Sequence, residues 1–207
     1  MNTLTDVIFD CRDYAVIDKP AGVDSEKLPG LLSALTGEKY FAVHRLDRDV
    51  SGLMICAKSR EAAGALSGTG FRKEYLALVS GCPEPEEGTL EDLLFHDRAK
   101  NKTYVVKSER KGVKRAVLHY RVLERGEKTS LVSVLLETGR THQIRVQFAS
   151  RGMPLAGDAK YGGGKGKPAL RAVRLTFTDP FDGERKDFRL EAVFPGFPAK
   201  KGEETNA

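Results

Sequence analysis

Cysteine is scarce in this 207-residue chain, and long apolar runs are missing from it. Cys11, Cys56 and Cys82 show no Cys-x-x-Cys spacing, which excludes a disulfide framework and any zinc site that a sequence can announce. They read as small buried or half-buried residues. No apolar stretch approaches the roughly 20 residues that a membrane crossing needs, and Met1-Asn2-Thr3-Leu4-Thr5-Asp6 lacks the basic start and apolar core of a secretory signal. The expected compartment is the cytoplasm. His44, His96, His119 and His142 are scattered, with no His-x-x-x-His pair, so no metal is indicated. Gly162-Gly163-Gly164-Lys165-Gly166-Lys167 lacks the Gly-Lys-Ser/Thr ending of a phosphate loop and reads as a flexible surface loop. No internal repeat or low-complexity tract is present.

What is there describes an ordinary globular protein, 40% hydrophobic and 30% charged, of a length that suits one large domain or two small ones. A single domain is expected over 1–199, followed by a polar tail over 200–207. The net charge of +5 hints mildly at an anionic partner, and its distribution says more. Arg98, Lys100, Lys102, Lys107, Arg110, Lys111, Lys114 and Arg115 face the single acid Glu109, next to an acidic stretch at Glu84, Glu86, Glu87, Glu91 and Asp92. Two readings fit equally: a solvated hairpin whose lysines guard an edge strand, or a face that contacts phosphates.

Hydrophobic patterning predicts many strands and few helices. Val7-Ile8-Phe9 and Tyr14-Ala15-Val16-Ile17 read as a hairpin, and 28–35 and 60–66 as short helices. Strands are expected over 75–79, 103–106, 116–123, 131–136, 172–176 and 188–192. A helix is expected over 142–150, capped by Thr141, with an amphipathic face of Ile144, Val146 and Phe148, and closed by Gly152 and Pro154. Strands and helices without strict alternation give an α+β domain on a central, mainly antiparallel mixed sheet with flanking helices.

One stretch stands out. In His44-Arg45-Leu46-Asp47-Arg48-Asp49-Val50-Ser51-Gly52-Leu53 a carboxylate sits between basic residues in a turn, flanked by the strand-like runs Tyr40-Phe41-Ala42-Val43 and Leu53-Met54-Ile55-Cys56-Ala57. Spacing alone favours an ordinary turn with weak surface ion pairs.

Extended through Ala57-Lys58, however, the stretch resembles the catalytic motif of the RluA-type RNA pseudouridine synthases. Four further segments occur in that family's order: Val16-Ile17-Asp18-Lys19-Pro20-Ala21-Gly22, Lys73-Glu74-Tyr75-Leu76-Ala77-Leu78-Val79-Ser80-Gly81, Thr138-Gly139-Arg140-Thr141-His142-Gln143-Ile144-Arg145-Val146, and Pro154-Leu155-Ala156-Gly157-Asp158 with Tyr161-Gly162-Gly163. The resemblance runs from about residue 14 to about residue 180.

The resemblance implies an RNA-binding cleft across the sheet and an isomerase that converts uridine in structured RNA, ribosomal or transfer, to pseudouridine without cofactor or metal. It implies Asp47 as the group acting on the ribose, Arg145 as its cationic partner, and Tyr75 as the ring stacked on the uracil. Arg45 would enter the RNA stack and help extrude the nucleotide, Ile144 would wall the pocket, and Arg140 and Lys73 would hold phosphates. A monomer is expected. The rival is a non-catalytic RNA-binding or ribosome-assembly protein that keeps the fold. Four departures from the pattern bear on RNA choice: Val50 in place of Thr, a short link over 66–72, Gln147 in place of His, and Arg171 in Leu-Arg-Ala in place of Leu-His-Ala.

Overall fold

Two-residue alternation builds most of the molecule. The computed structural model describes residues 6–192, 194 and 197; the tail over 200–207 lies outside them. The elements in chain order are β1 (Asp6–Asp10), β2 (Tyr14–Lys19), α1 (Leu28–Thr36), β3 (Phe41–Ala42), β4 (Ser51–Ala57), α2 (Arg60–Ser67) and β5 (Arg72–Ser80). They continue with β6 (Glu87–Asp97), β7 (Lys102–Val106), β8 (Val113–Arg125), β9 (Thr129–Leu136), α3 (Gln143–Ala149), β10 (Leu170–Thr178) and β11 (Arg185–Arg189).

All eleven strands form one sheet, in the order β1-β2-β4-β10-β5-β9-β8-β6-β7, with β3 paired to β4 and β11 to β10. Every described pairing is antiparallel except β4 with β10, so the fold is α+β on a mixed sheet. That parallel seam is short, pairing Ser51 with Arg171 and Gly52 with Ala172. It also explains the glycine of the Ser-Gly-Leu run. Gly52 has φ +120°, and a Cβ there would lie 2.2 Å from the Ala172 carbonyl oxygen, so only glycine lets the two backbones meet.

Alternation along β5, β8 and β9 sends Tyr75, Ala77, Val79, Leu118, Tyr120, Val132 and Val134 to one face, where α3 covers them with Ile144 and Phe148. Phe148 is fully buried and meets the Tyr120 ring edge-on at 5.7 Å; burying such a side chain contributes roughly 1.5–3 kcal/mol. Helix α2 packs on a second cluster with Tyr14, Leu53, Ile55 and Phe177, and α1 on a third with Ile17 and Met54.

Four expectations need correction. Helix α3 is not amphipathic: all of Gln143 to Phe148 is buried, because the helix is wedged between the sheet and the 154–163 loop. Nor does Thr141 cap it; His142 occupies the cap position in a left-handed conformation, φ 55°, ψ 22°. The last strand lies at Arg185–Arg189 and not over 188–192, since pairing with β10 selects a charged edge that its composition hides. The acidic stretch, expected only as charge, runs into the eleven-residue β6, which begins at Glu87 and carries Glu91, paired with Arg115, and Asp92.

Candidate active site

The acid loop over 43–50 enters the parallel seam and is gripped from both sides of Asp47. Ser25 Oγ donates to the Leu46 carbonyl at 2.7 Å and accepts the Leu46 amide at 3.1 Å. On the other side the fully buried Lys19 donates to the carbonyls of Pro20, Val23 and Arg48, at 3.1, 2.8 and 3.1 Å. The Gly22 amide adds a bond to the same Arg48 carbonyl at 2.8 Å. The Asp-Lys-Pro-Ala-Gly segment is thus a clamp on the loop. His44, first residue of the tetrad, accepts the Ile55 amide through Nε2 at 3.3 Å, and burial, reinforced by the Lys73 charge, holds its imidazole neutral.

Asp47 meets Arg145, 98 positions later in the sequence, through an Nη1 bond to Oδ2 of 3.1 Å. Arg145 does not hang free to do this. Its Nε and Nη2 donate to both oxygens of the fully buried Asp158 at 2.7 and 2.8 Å, a bidentate fork that fixes the guanidinium plane. Beneath it lies the Tyr161 ring, 5.1 Å from the guanidinium carbon. Burial works against the Arg145 charge, but the bond and charge of Asp158 and the charge of Asp47 outweigh it and hold its pKa raised.

His142 stands on the other side of the acid, Nε2 3.8 Å from Asp47 Oδ2, too long for a hydrogen bond. Burial, helped by the Arg145 charge and opposed by that of Asp47, lowers its pKa far enough to leave it neutral. The contact is therefore polar and not an ion pair. Its Nδ1 bonds the Tyr161 hydroxyl at 2.9 Å, which accepts the Thr103 amide at 2.8 Å. A left-handed histidine costs backbone strain, and here that strain sits beside the acid.

These groups open on a cavity of about 300 Å³, at the small end of the range for ligand pockets. Arg45, Asp47, Tyr75, Arg140, Ile144 and Arg145, six residues drawn from three separate segments, all line it, and so does Lys73. Tyr75 is buried, its pKa raised by burial and by the Asp47 charge, and its hydroxyl has no hydrogen-bond partner among the described residues. Lys73 has no carboxylate partner among them either, and burial draws its pKa down to about 8. Arg45 lies at the exposed rim, paired with Glu26 at 3.0 Å. Arg140 is half-buried, its Nε on the Arg115 carbonyl at 3.0 Å.

Asp158, His142, Tyr161, Lys19 and Ser25 are the parts that sequence reasoning left without a role. The signal for Asp158 and Tyr161 was their place in the last of the segments that carry the resemblance. Around Asp158, Gly163 is not a plain loop residue: its amide bonds the Asp158 carbonyl at 2.8 Å, and a Cβ there would collide with the Leu155 carbonyl. The unusual Arg171 bonds Asp18 and, at 3.2 Å, Ser51 Oγ, tying the clamp strand to the base of the acid loop. Gln147 bonds Asp92 at 2.8 Å and the Leu90 carbonyl at 3.1 Å, anchoring α3 to β6.

A carboxylate bonded by a doubly held arginine, at a small cavity with an aromatic wall, is a site where an acid can act on a bound molecule. The family model of the RNA pseudouridylate synthases matches residues 13–150, and the chain belongs to that family. Its curated relatives narrow this to the RluA type. One is the "Uncharacterized RNA pseudouridine synthase YlyB" of Bacillus subtilis, 35% identical over 92% of this chain and 69% of its own length. Another is the "Ribosomal large subunit pseudouridine synthase D" of Zymomonas mobilis, 31% identical over 90% of this chain and 68% of its own. The solved human protein "RNA Pseudouridylate Synthase Domain Containing 1" shares the fold, with a TM-score of 0.80 at 23% identity over 97% of this chain and 91% of its own. The protein is an RNA pseudouridine synthase, an isomerase acting on RNA.

Proposed function

We propose that Asp47 is the group that acts at the ribose, in a single catalytic domain working as a cytoplasmic monomer on uridine in structured ribosomal or transfer RNA. The observation that carries this is the Asp47 carboxylate, bonded by Arg145 and opening on the cavity walled by Tyr75 and Ile144. Arg145 donates to the acid and aims it. The carboxylate then attacks the anomeric carbon or assists elimination there, and the bond to N1 breaks. The freed uracil turns against the Tyr75 ring and rejoins the anomeric carbon through C5 as the carboxylate leaves that carbon or, on the elimination route, as the proton returns to C2′; C5 then loses its proton to solvent while N1 gains one. Arg45, exposed at the rim, leaves Glu26 to enter the RNA stack as the nucleotide swings out.

A ribosomal target is supported by the relative named for the large subunit. The basic stretch supports RNA contact: its acidic neighbours are already engaged, Glu91 by Arg115 and Glu86 by Arg125, which leaves Arg98 and Lys114 lining a groove that shares Gly139, Arg140 and Thr141 with the cavity.

RNA labelled with tritium at uridine C5 tests this. Wild-type protein releases the label to water, and Asp47→Ala stops release while leaving RNA affinity roughly intact; binding without release by the wild type on total RNA would favour the assembly-protein rival. Tyr75→Phe separates ring from hydroxyl, near-normal turnover assigning the role to stacking alone.

A further inference from the structure

The sheet carries a second groove on the face turned away from the catalytic cavity. On β5, Lys73 and Tyr75 line the cavity, while Arg72 and Glu74 line the groove, as alternation requires. The groove has a volume of about 430 Å³ and gathers four arginines: Arg72, Arg121 from β8, Arg174 from β10 and Arg185 from β11.

Glu74 is the only carboxylate lining it, and that group is already engaged by Ser133 Oγ at 2.9 Å and Arg174 at 3.8 Å. Arg174 is itself held by Asp187 at 2.7 Å. Arg72, Arg121 and Arg185 are exposed and have no carboxylate partner among the described residues. Some other surface arginines are matched, Arg115 with Glu91 and Arg151 with Asp92, and some, such as Arg12 and Arg98, are not; what marks this groove is that three unmatched ones share a single concavity. Three unmatched guanidiniums around one concavity repel one another and focus positive potential, which a bound anion relieves.

The shape of the patch selects the anion. Strand order places Arg121 and Arg185 four strands apart, β8-β9-β5-β10-β11, or about 19 Å at the usual strand spacing. That is too spread for one phosphate and suits several along a polynucleotide backbone. No aromatic ring lines the groove, so it offers no platform for stacking bases and reads backbone alone.

We propose that this groove is a second RNA-binding surface, holding backbone phosphates of a segment remote from the target uridine. RNA engaged at the cavity cannot also lie on the opposite face unless it folds around the domain. The surface therefore acts on large structured RNA and not on a short hairpin. The proposal rests on RNA being the substrate and is independent of the role given to Asp47.

The test uses the full chain with Arg72→Gln, Arg121→Gln and Arg185→Gln combined, and a control of equal charge loss at the exposed Arg12, Lys39 and Lys128. Affinity is measured across a salt series for a full-length large-subunit ribosomal RNA transcript and for a short RNA hairpin. On the transcript the groove variant is expected to bind roughly tenfold more weakly, with a salt slope shallower by about 2–3 for three lost contacts; on the hairpin it matches wild type. Wild-type binding of the transcript by the groove variant, an equal loss in the control, or an equal loss on the hairpin each overturns the proposal. These readouts need no turnover, so failure of the Asp47 assignment shows separately, as absent tritium release.

Discussion

Replacing Lys73 with methionine should make this protein more stable and a poorer RNA binder. The ammonium lies inside the cavity without a carboxylate partner among the described residues, and burial lowers its pKa from 10.5 to about 8. A drop of that size corresponds to about 3 kcal/mol of penalty on the charged form in the fold. The sign follows from proton counting. Below pH 8 both folded and unfolded states are protonated and the full penalty is present. Between pH 8 and 10.5 the unfolded chain holds more protons, so wild-type stability gains with pH and the penalty fades. Methionine keeps the length of the side chain without the charge. Urea unfolding at pH 7 should therefore show Lys73→Met more stable by about 3 kcal/mol, with the gap closing as pH rises through 8 toward 10.5. RNA affinity should fall, because the cavity loses a cation that has no carboxylate partner among the described residues. A gap that is absent at pH 7, or that stays constant with pH, would refute the claim that the fold holds an uncompensated cation there.

Asp158→Asn should cost roughly 3–5 kcal/mol, since it leaves the buried Arg145 without its bidentate partner; denaturant unfolding within 1 kcal/mol of wild type would sink that expectation. Turnover should fall with it, as the guanidinium loses the fork that aims it at Asp47. Lys19→Met should destabilise by about 1–2 kcal/mol, because the Pro20 and Val23 carbonyls lose their donor and the Arg48 carbonyl one of its two, a loss offset in part by removing a charge that burial disfavours. Its kinetic mark is a lower kcat with KM little changed, since the loosened part is the acid loop and not the RNA surface; an unchanged kcat would show that the clamp is dispensable.

Much of the architecture was legible because alternation and turn residues act locally. The hairpin of β1 and β2, the helices α1 and α2, and β9 fall where patterning puts them, and Ser59 caps α2 with a 3.0 Å bond to the Ala62 amide as an N-cap serine does. Elements whose fate depends on distant partners were not. Helix α3 lost its amphipathic face because both sides are covered, and β11 is a strand only because the edge of β10 accepts it.

The site divides the same way. Sequence alone determined the family: the motifs carrying Asp47, Tyr75 and Arg145 were readable through their resemblance to the family's pattern, in the family's order, where spacing alone would have left an ordinary turn. Only the tertiary structure decided that they meet. It did so by routing a parallel seam through Gly52, pressing the Lys19 and Ser25 clamp on either side of the acid, and locking Arg145 on Asp158. Those are long-range contacts, and a ladder of local preferences has no term for a guanidinium meeting a carboxylate 98 positions away.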